Sequence, residues 1–331
     1  MSDHGQVRNM SMVGALRAAL ERSMREDPAV LLIGEDIADA EGGGTFKVTE
    51  GLSSTFGTER VRTTPISEQA IVGAAIGAAI GGLRPVAEIM LMNFVTVAMD
   101  QIFNHAAKLR YMSGGVTGVP LTIRTATGVG AGTAAQHSDM LEGWFAHTPG
   151  LKVVMPSGPA EAYGLLLATI QDDDPCIFVE KKELYGRREV VDLRGDPIPL
   201  GIARVARPGV DVTLIAYGGA VLECLTAADV LASQGVEAEV LDLRTVSPWD
   251  QRAVMESVAK TSAAVVVHES VREFGPGAEI AASIHEELFE TIRSPVRRVA
   301  ASACPVPFAP TLESAYLYTP ETIVQAVRST F

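Results

Sequence analysis

Short runs of Val, Ile, Leu and Ala recur along the chain, separated by stretches of helical length. The first group is "AVLLIGED" (29–36), "RPVAEIML" (84–91), "VPLTIRTA" (119–126), "LKVVMPS" (151–157) and "PCIFVEKK" (175–182). The second is "DVTLIAYGG" (211–219), "EAEVLDLRT" (237–245), "AAVVVHES" (263–270) and "VRRVAAS" (296–302). Continuous apolar runs this short and rich in β-branched residues predict strands buried on both faces of a parallel sheet. Helices are predicted between them, at Met12–Arg25, Phe94–Met112, Ala160–Gln171, Ala220–Gln234 and Ala278–Phe289. The alternation predicts an α/β fold with parallel sheets. Residues 192–211 are rich in Pro, Gly and charge, and a new βαβ rhythm follows them. The chain therefore divides into a larger domain (1–190), a linker (191–206) and a smaller α/β domain (207–331). The Pro-rich tail after Ala301 is expected to wrap over a surface, ending in a short helix.

The 331 residues carry a formal net charge of −13, which argues against nucleic acid and anionic membrane as partners and leaves room for a basic protein. Cys176, Cys224 and Cys304 lie far apart without ligand spacing, as expected of reduced thiols in a cytoplasmic compartment. The N-terminus reads as no signal peptide, and the apolar stretch Ala70–Leu83 is shorter than the roughly 20 residues a membrane span needs.

One stretch combines structure with chemistry. In "TTPISEQAIVGAAIGAAIGGLRP" (63–85), Ser67 is a candidate N-cap, and Glu68 begins a helix with no charged partner. The plain reading of Glu68 is complementarity to the helix dipole. Gly73, Gly77 and Gly81 form a stripe that costs about 1 kcal/mol per glycine relative to Ala. A close helix contact must offset that cost, either inside the chain or across a subunit interface. An acid at the mouth of such an interface is poorly solvated and suited to exchanging protons near neutrality.

Other stretches add candidates. Glu35 ends the first strand of a sheet whose carboxyl ends are ligand-binding edges, or else lies in a solvated loop. Phe94, just past a strand end, is a core aromatic or a platform for a flat heterocycle. "Gly130-Ala-Gly132-Thr-Ala-Ala135" matches a dinucleotide-type pattern, but the acid expected about 20 residues later is missing. The glycine-rich loop instead lets backbone approach something closely, and a helix is expected after it. His137 on that element is either an acid/base group or a cap near Asp139. His268 reads as structural. The sequence lacks GxSxG, Walker and HExxH motifs, against common hydrolases, P-loop NTPases and zinc enzymes.

Assembled, these stretches resemble the β subunit of the decarboxylating component of 2-oxo acid dehydrogenase complexes, a family that includes the pyruvate, branched-chain 2-oxo acid and acetoin enzymes. The resemblance spans essentially the whole chain, through "LLIGED", "FKVTEGL", "TPISEQAIVGAAIGAAIGGLRPVAE", "DQIFNHAAKLRYMSGG", "AAQHSD", "HTPGLKVVMPS" and "FGPGAEIAASI". It implies a transketolase-like pyrimidine-binding domain followed by a transketolase C-terminal domain. It implies thiamine diphosphate shared with an α subunit, which holds the diphosphate and Mg²⁺ through a Gly-Asp-Gly motif absent here, in an assembly of two α and two β chains. Glu68 then matches the acid on the pyrimidine nitrogen, and Phe94 the aromatic stacked on that ring. Glu35 matches a second acid near the ring, and His137 a His that serves the bound intermediate. Leu121, Thr169, Ile170, Asp172 and Asp174 match oxygens that hold a structural K⁺ in some members. The implied reaction is oxidative decarboxylation of a 2-oxo acid, with pyruvate favoured over acetoin or branched-chain substrates. The acyl group passes to the lipoyl group of an acyltransferase docked on the C-terminal domain. A non-catalytic docking scaffold is the alternative of another class.

Overall fold

The computed structural model describes residues 7–331, and all structural statements refer to these. In chain order the strands are β1 (Val7–Ser11), β2 (Val30–Glu35), β3 (Val61–Thr64), β4 (Arg84–Leu91), β5 (Thr122–Thr127), β6 (Lys152–Val154) and β7 (Cys176–Lys181). They continue with β8 (Arg188–Asp192), β9 (Arg204–Arg207), β10 (Val212–Ala216), β11 (Ala238–Asp242), β12 (Thr245–Ser247), β13 (Ala264–Val271) and β14 (Arg297–Ala301). Every run expected to be a strand contains one. The residues of β5, β7, β10 and β11 are buried throughout, which is why their sequences read as continuous apolar runs rather than as alternation.

The first sheet has the order β12-β6-β7-β5-β4-β2-β3, parallel except for β12. The second has the order β14-β13-β10-β11-β9, parallel except for β9. β1 and β8 form a separate antiparallel ribbon. The strands not foreseen are β1, β3, β8, β9 and β12. β12 has the largest architectural effect: it follows β11 of the second sheet but pairs with β6, so the second domain supplies an edge strand to the first.

Helices cover both faces. Met12–Glu26 buries Leu16, Ala19 and Leu20 against Pro159–Gln171. The helix predicted over Phe94–Met112 is broken. A turn at Met92–Val95 and a 3-10 turn lead into a π-helical segment, Gln101–Ala106, before Leu109–Met112. The tail is also corrected. Its last helix, Pro320–Arg328, does not lie over a surface but sends Ile323, Val324 and Val327 into the core of the second domain.

One fully buried ion cluster ties the middle of the first sheet together. Arg124 on β5 is 2% exposed. Its Nε and Nη2 donate to both oxygens of Glu180 on β7 at 2.8 and 2.9 Å, and its Nη1 donates to Glu88 on β4 at 2.6 Å. Tyr185 Oη also donates to Glu180, and the Tyr185 ring packs on Phe46, 5.0 Å between centroids, in the segment that follows β2. The cluster thus links three central strands to the loop beyond Glu35. Replacing a single member leaves an uncompensated buried charge. Arg124→Leu should cost about 3–5 kcal/mol of stability, read as a shift of the urea unfolding midpoint. An unchanged midpoint contradicts a structural role for the cluster.

Candidate active site

Parallel pairing sends the carboxyl ends of β5, β4, β2 and β3 to one rim of the first sheet, in that lateral order. Each end carries one residue singled out from the sequence. Glu35 is the last residue of β2, Glu68 opens the helix after β3, Phe94 lies in the turn after β4, and His137 ends the loop after β5. Neighbouring strands in a sheet are about 4.8 Å apart, so the four positions form a row. The row is physically joined at both ends. The rings of Phe94 and His137 meet edge to face, 5.3 Å between centroids. Glu35 and Glu68 are close enough to feel each other's charge. Burial pushes the Glu35 carboxyl above its ordinary value, and the negative charges of Asp36 and Glu68 add to that. All four side chains are half-buried, each therefore presenting part of its surface outward.

Local structure explains the placement. The helix Glu68–Ile80 starts where predicted, and Glu68 lies in its first turn, but Ser67 makes no capping hydrogen bond. The helix ends in a Schellman turn: Gly82 has φ +91°, its N–H donates to Ala79 O, and Leu83 N–H donates to Ala78 O. Within the glycine stripe, Gly73 meets the Gln101 side chain, so an internal crossing accounts for that position. Gly77 faces open space, and Ile80 one turn on and Ile66 just ahead of the helix are exposed. No helix follows the glycine-rich loop; Ala135–His137 is a single turn. Gly130 and Gly132 hold positive φ, near +101° and +60°, and the next helix of the chain is the short Glu142–Ala146. Ala134 and Asp36, beside His137 and Glu35, also hold positive φ without being glycine, and strain of this kind collects at functional sites.

Three further groups stand in the rim, of which only Asn93 was noticed in the sequence, as half of an Asn-Phe pair resembling pyruvate-type chains. Asn93 donates to Asp139 and to Ala135 O at 2.8 and 3.2 Å, fixing the turn that carries His137. Asp139 is thus Asn93's partner, and no hydrogen bond joins it to the His137 ring. Thr64 Oγ1, opposite Glu35 in register, is buried with no hydrogen-bond partner. Lys182 donates to Thr133 Oγ1 and His137 O at 2.7 and 2.6 Å. The bracing role of Asn93 was not foreseen, and Thr64 and Lys182 carried no local signal.

The five residues matched to a K⁺ site do gather, at the opposite end of β5. Their oxygens already have protein partners. Arg84 donates to Ile170 O and Asp172 O, Lys152 pairs with the Asp172 and Asp174 carboxylates, and Arg110 pairs with Asp174. Leu121 O and Thr169 O accept from Cys176 and Asp172 N–H groups. Three protein cations thus neutralise the carboxylates here, while each carbonyl oxygen keeps a second lone pair.

The chain matches two family models, "Transketolase, pyrimidine binding domain" over residues 8–188 and "Transketolase, C-terminal domain" over 201–323. It is 45% identical to the acetoin:2,6-dichlorophenolindophenol oxidoreductase subunit beta of Cupriavidus necator, covering 98% of each chain. It is 43% identical to the pyruvate dehydrogenase E1 component subunit beta of Staphylococcus epidermidis, covering 97% of this chain and 98% of that protein. This chain belongs to the β subunits of the 2-oxo acid and acetoin dehydrogenases. A third relative is the mitochondrial 2-oxoisovalerate dehydrogenase subunit beta of Chaetomium thermophilum, 44% identical over 92% of this chain and 66% of that one. A solved split-gene transketolase, described as an inactive β4 tetramer, shares the fold with a TM-score of 0.80 at 23% identity, each chain covered to 98%. The rim of this β subunit lies wholly inside the part matched by the pyrimidine-binding model.

A second polar group of the β subunit lies buried at the domain seam. Glu142, wholly buried, accepts from Tyr217 Oη at 2.7 Å, and its other oxygen has no hydrogen-bond partner. The Tyr217 ring stacks on His268, 6.3 Å between centroids, and His268 contacts Ser270 O through Nδ1 at 3.0 Å. Burial raises the Glu142 carboxyl from 4.5 to about 7 and lowers His268 to about 4. Between pH 4.5 and about 7 the folded chain retains a proton on Glu142 that the unfolded chain has lost. Stability from this group is complete below that window and is lost as pH rises through about 7. His268 acts oppositely, costing stability as pH falls from 6.5 towards about 4. Glu142→Gln keeps an acceptor for Tyr217, so it should match the parent near pH 5 and exceed its Tm by about 3–6 °C at pH 8. An advantage equal at both pH values contradicts this.

Proposed function

We propose that this chain, with an α subunit, oxidatively decarboxylates a 2-oxo acid and acylates the lipoyl group of an acyltransferase. The observation that carries the reading is the row Glu68–Glu35–Phe94–His137 on one rim. The donor set fits an aminopyrimidine. Two half-buried carboxylates share a field, the Glu35 carboxyl is biased towards its protonated form, and Thr64 offers a buried hydroxyl without a partner. Beside them stands an aromatic ring. Thiamine diphosphate, when bound, supplies a centre that stabilises the carbanion left by bond cleavage. Glu68 holds and moves a proton at the pyrimidine nitrogen. Glu35 keeps a second proton within reach, and Phe94 presents a flat apolar face. His137, oriented by Phe94 and by the Asn93-braced turn, serves acid/base steps next to the substrate.

The diphosphate and Mg²⁺ fall to the α subunit, since the sequence contains no Gly-Asp-Gly. Two α and two β chains form the working assembly. The exposed face of the Glu68 helix, with Gly77, Ile66 and Ile80, supports close packing against another chain. The acyltransferase docks on the C-terminal domain. The K⁺ reading rests on the resemblance alone. No helix is long and apolar enough to cross a membrane; a cytoplasmic location rests on the unpaired thiols of Cys176, Cys224 and Cys304.

Pyruvate is the proposed substrate, on the Asn93–Phe94 pair that resembles pyruvate-type chains. The second reading is acetoin, favoured by the 45% identity to the Cupriavidus protein. Both molecules offer a carbonyl carbon beside the carbon–carbon bond that breaks. The test is co-expression with an α-type chain, followed by assay of pyruvate, 2-oxoisovalerate and acetoin with thiamine diphosphate, Mg²⁺ and an artificial oxidant. Turnover should require the α chain and be fastest with pyruvate. Turnover by the β chain alone contradicts the reading, and acetoin as the best substrate replaces the first reading with the second. Glu68→Gln should preserve assembly and lower kcat by about 100-fold or more. Near-parental turnover would falsify the assigned role of Glu68.

A further inference from the structure

The loop between β5 and His137 is held from across the domain seam. Val129 N–H donates to Glu269 Oε1 at 3.0 Å, and Gly130 N–H donates to Glu313 Oε1 at 2.8 Å. Gly132 N–H is shared between both Glu313 oxygens, each at 3.3 Å. Both carboxylates belong to the second domain, Glu269 on β13 and Glu313 on the helix Pro310–Tyr316, and both are buried, 3% and 7% exposed. Glycines with positive φ turn successive amides towards one point, a concavity suited to an anion. Here the anion is a side chain of the other domain. Gly130 itself is exposed, so water could serve its N–H without help. A buried carboxylate taken out of water to do this job must act on the loop's position, because the amides alone do not need it.

We propose that Glu313 is a positioning residue for His137. It holds the backbone of the Gly130–Gly132 turn against the second domain while Lys182 holds Thr133 and the His137 carbonyl from the first. The loop has no helix to stiffen it, so these contacts set where the imidazole stands beside Phe94. The geometry thereby makes the C-terminal domain part of the site on the N-terminal domain. The inference rests on the role given to His137 above. Glu313 is the better position to test, because Glu269 also pairs with the buried Lys181 ammonium at 2.8 Å, whereas Glu313 acts on Lys182 only through the field of its charge.

The test is hydrogen exchange and steady-state kinetics on the full-length chain, alone and assembled with its α partner. Glu313→Gln keeps an acceptor oxygen but loses the charge, and amide exchange in a peptide spanning 128–138 should rise about tenfold. Glu313→Ala should raise it further, with peptides from β10 and β13 unchanged in both. In the assembled enzyme Glu313→Gln should lower kcat by about tenfold, leaving KM and half-saturation by thiamine diphosphate unchanged. Unchanged loop exchange in both variants overturns the tether. Faster loop exchange with parental kcat overturns the positioning role. If Glu313→Ala loses protection throughout the chain, the Gln variant decides. A parental complex that turns over none of the three substrates sinks the functional reading and the positioning role with it, while the exchange result still decides whether the tether exists.

Discussion

Parallel strand pairing is the constraint on which the rest depends. Because β5, β4, β2 and β3 run the same way, their carboxyl ends meet at one rim, and residues scattered over about a hundred positions of sequence become neighbours. No side chain at the rim needs to seek another. The hydrogen-bond register fixes the strand ends, and short connections fix the side chains relative to those ends. The buried Arg124 cluster acts on the same strands, which makes it a determinant of rim geometry as well as of stability. A carboxylate pair at such an edge pays a desolvation cost, visible in the raised Glu35 carboxyl. That cost has a use when a titratable heterocycle takes the adjoining space.

The two domains share one apolar core, in which Phe145, Leu151 and Met155 of the first lie with Tyr217, Leu243 and Val246 of the second, and polar contacts cross the same seam. β12 extends the first sheet, Ser157 donates to the buried Asp242, and Glu161 pairs with both Arg204 and Arg244. Glu142 meets Tyr217 across the seam, and the loop before His137 is gripped by Glu269 and Glu313. Directional contacts of this kind fix relative orientation more sharply than oil-like packing does. A site on one domain can therefore depend on carboxylates of the other. A cleft of about 860 Å³ at the seam, between Trp144, Trp249 and Phe274, contains none of the four rim residues.

Much of the fold was legible in the sequence because strands buried on both faces leave an unbroken apolar run. The strands that escaped notice lacked that signal. β1, β8 and β9 are short and partly exposed, β3 shows a single buried residue, and β12 has only three residues. The helix after the glycine loop was over-read: Ala135–His137 makes one turn and Ser138, with φ −140°, leaves helical geometry. The long helix after β4 was over-read too, because periodicity does not report a π-helical segment. The rim positions of Glu35, Glu68 and Phe94 followed from their places after strand ends, and the roles proposed for them and for His137 come from family resemblance. Asn93 and Lys182 act through contacts distant in sequence. Glu313 and Glu269 belong to the other domain, and only the folded chain brings them to the loop.

We propose above all that Glu68 and Phe94 jointly grip a pyrimidine ring where two different polypeptides meet. A structure of the chain assembled with its α subunit and thiamine diphosphate reads this directly. It should show the Glu68 carboxylate within hydrogen-bond distance of a pyrimidine nitrogen and the Phe94 ring against the heterocycle's face. A cofactor bound away from this rim, or a Glu68 side chain left in open solvent in the full assembly, contradicts it.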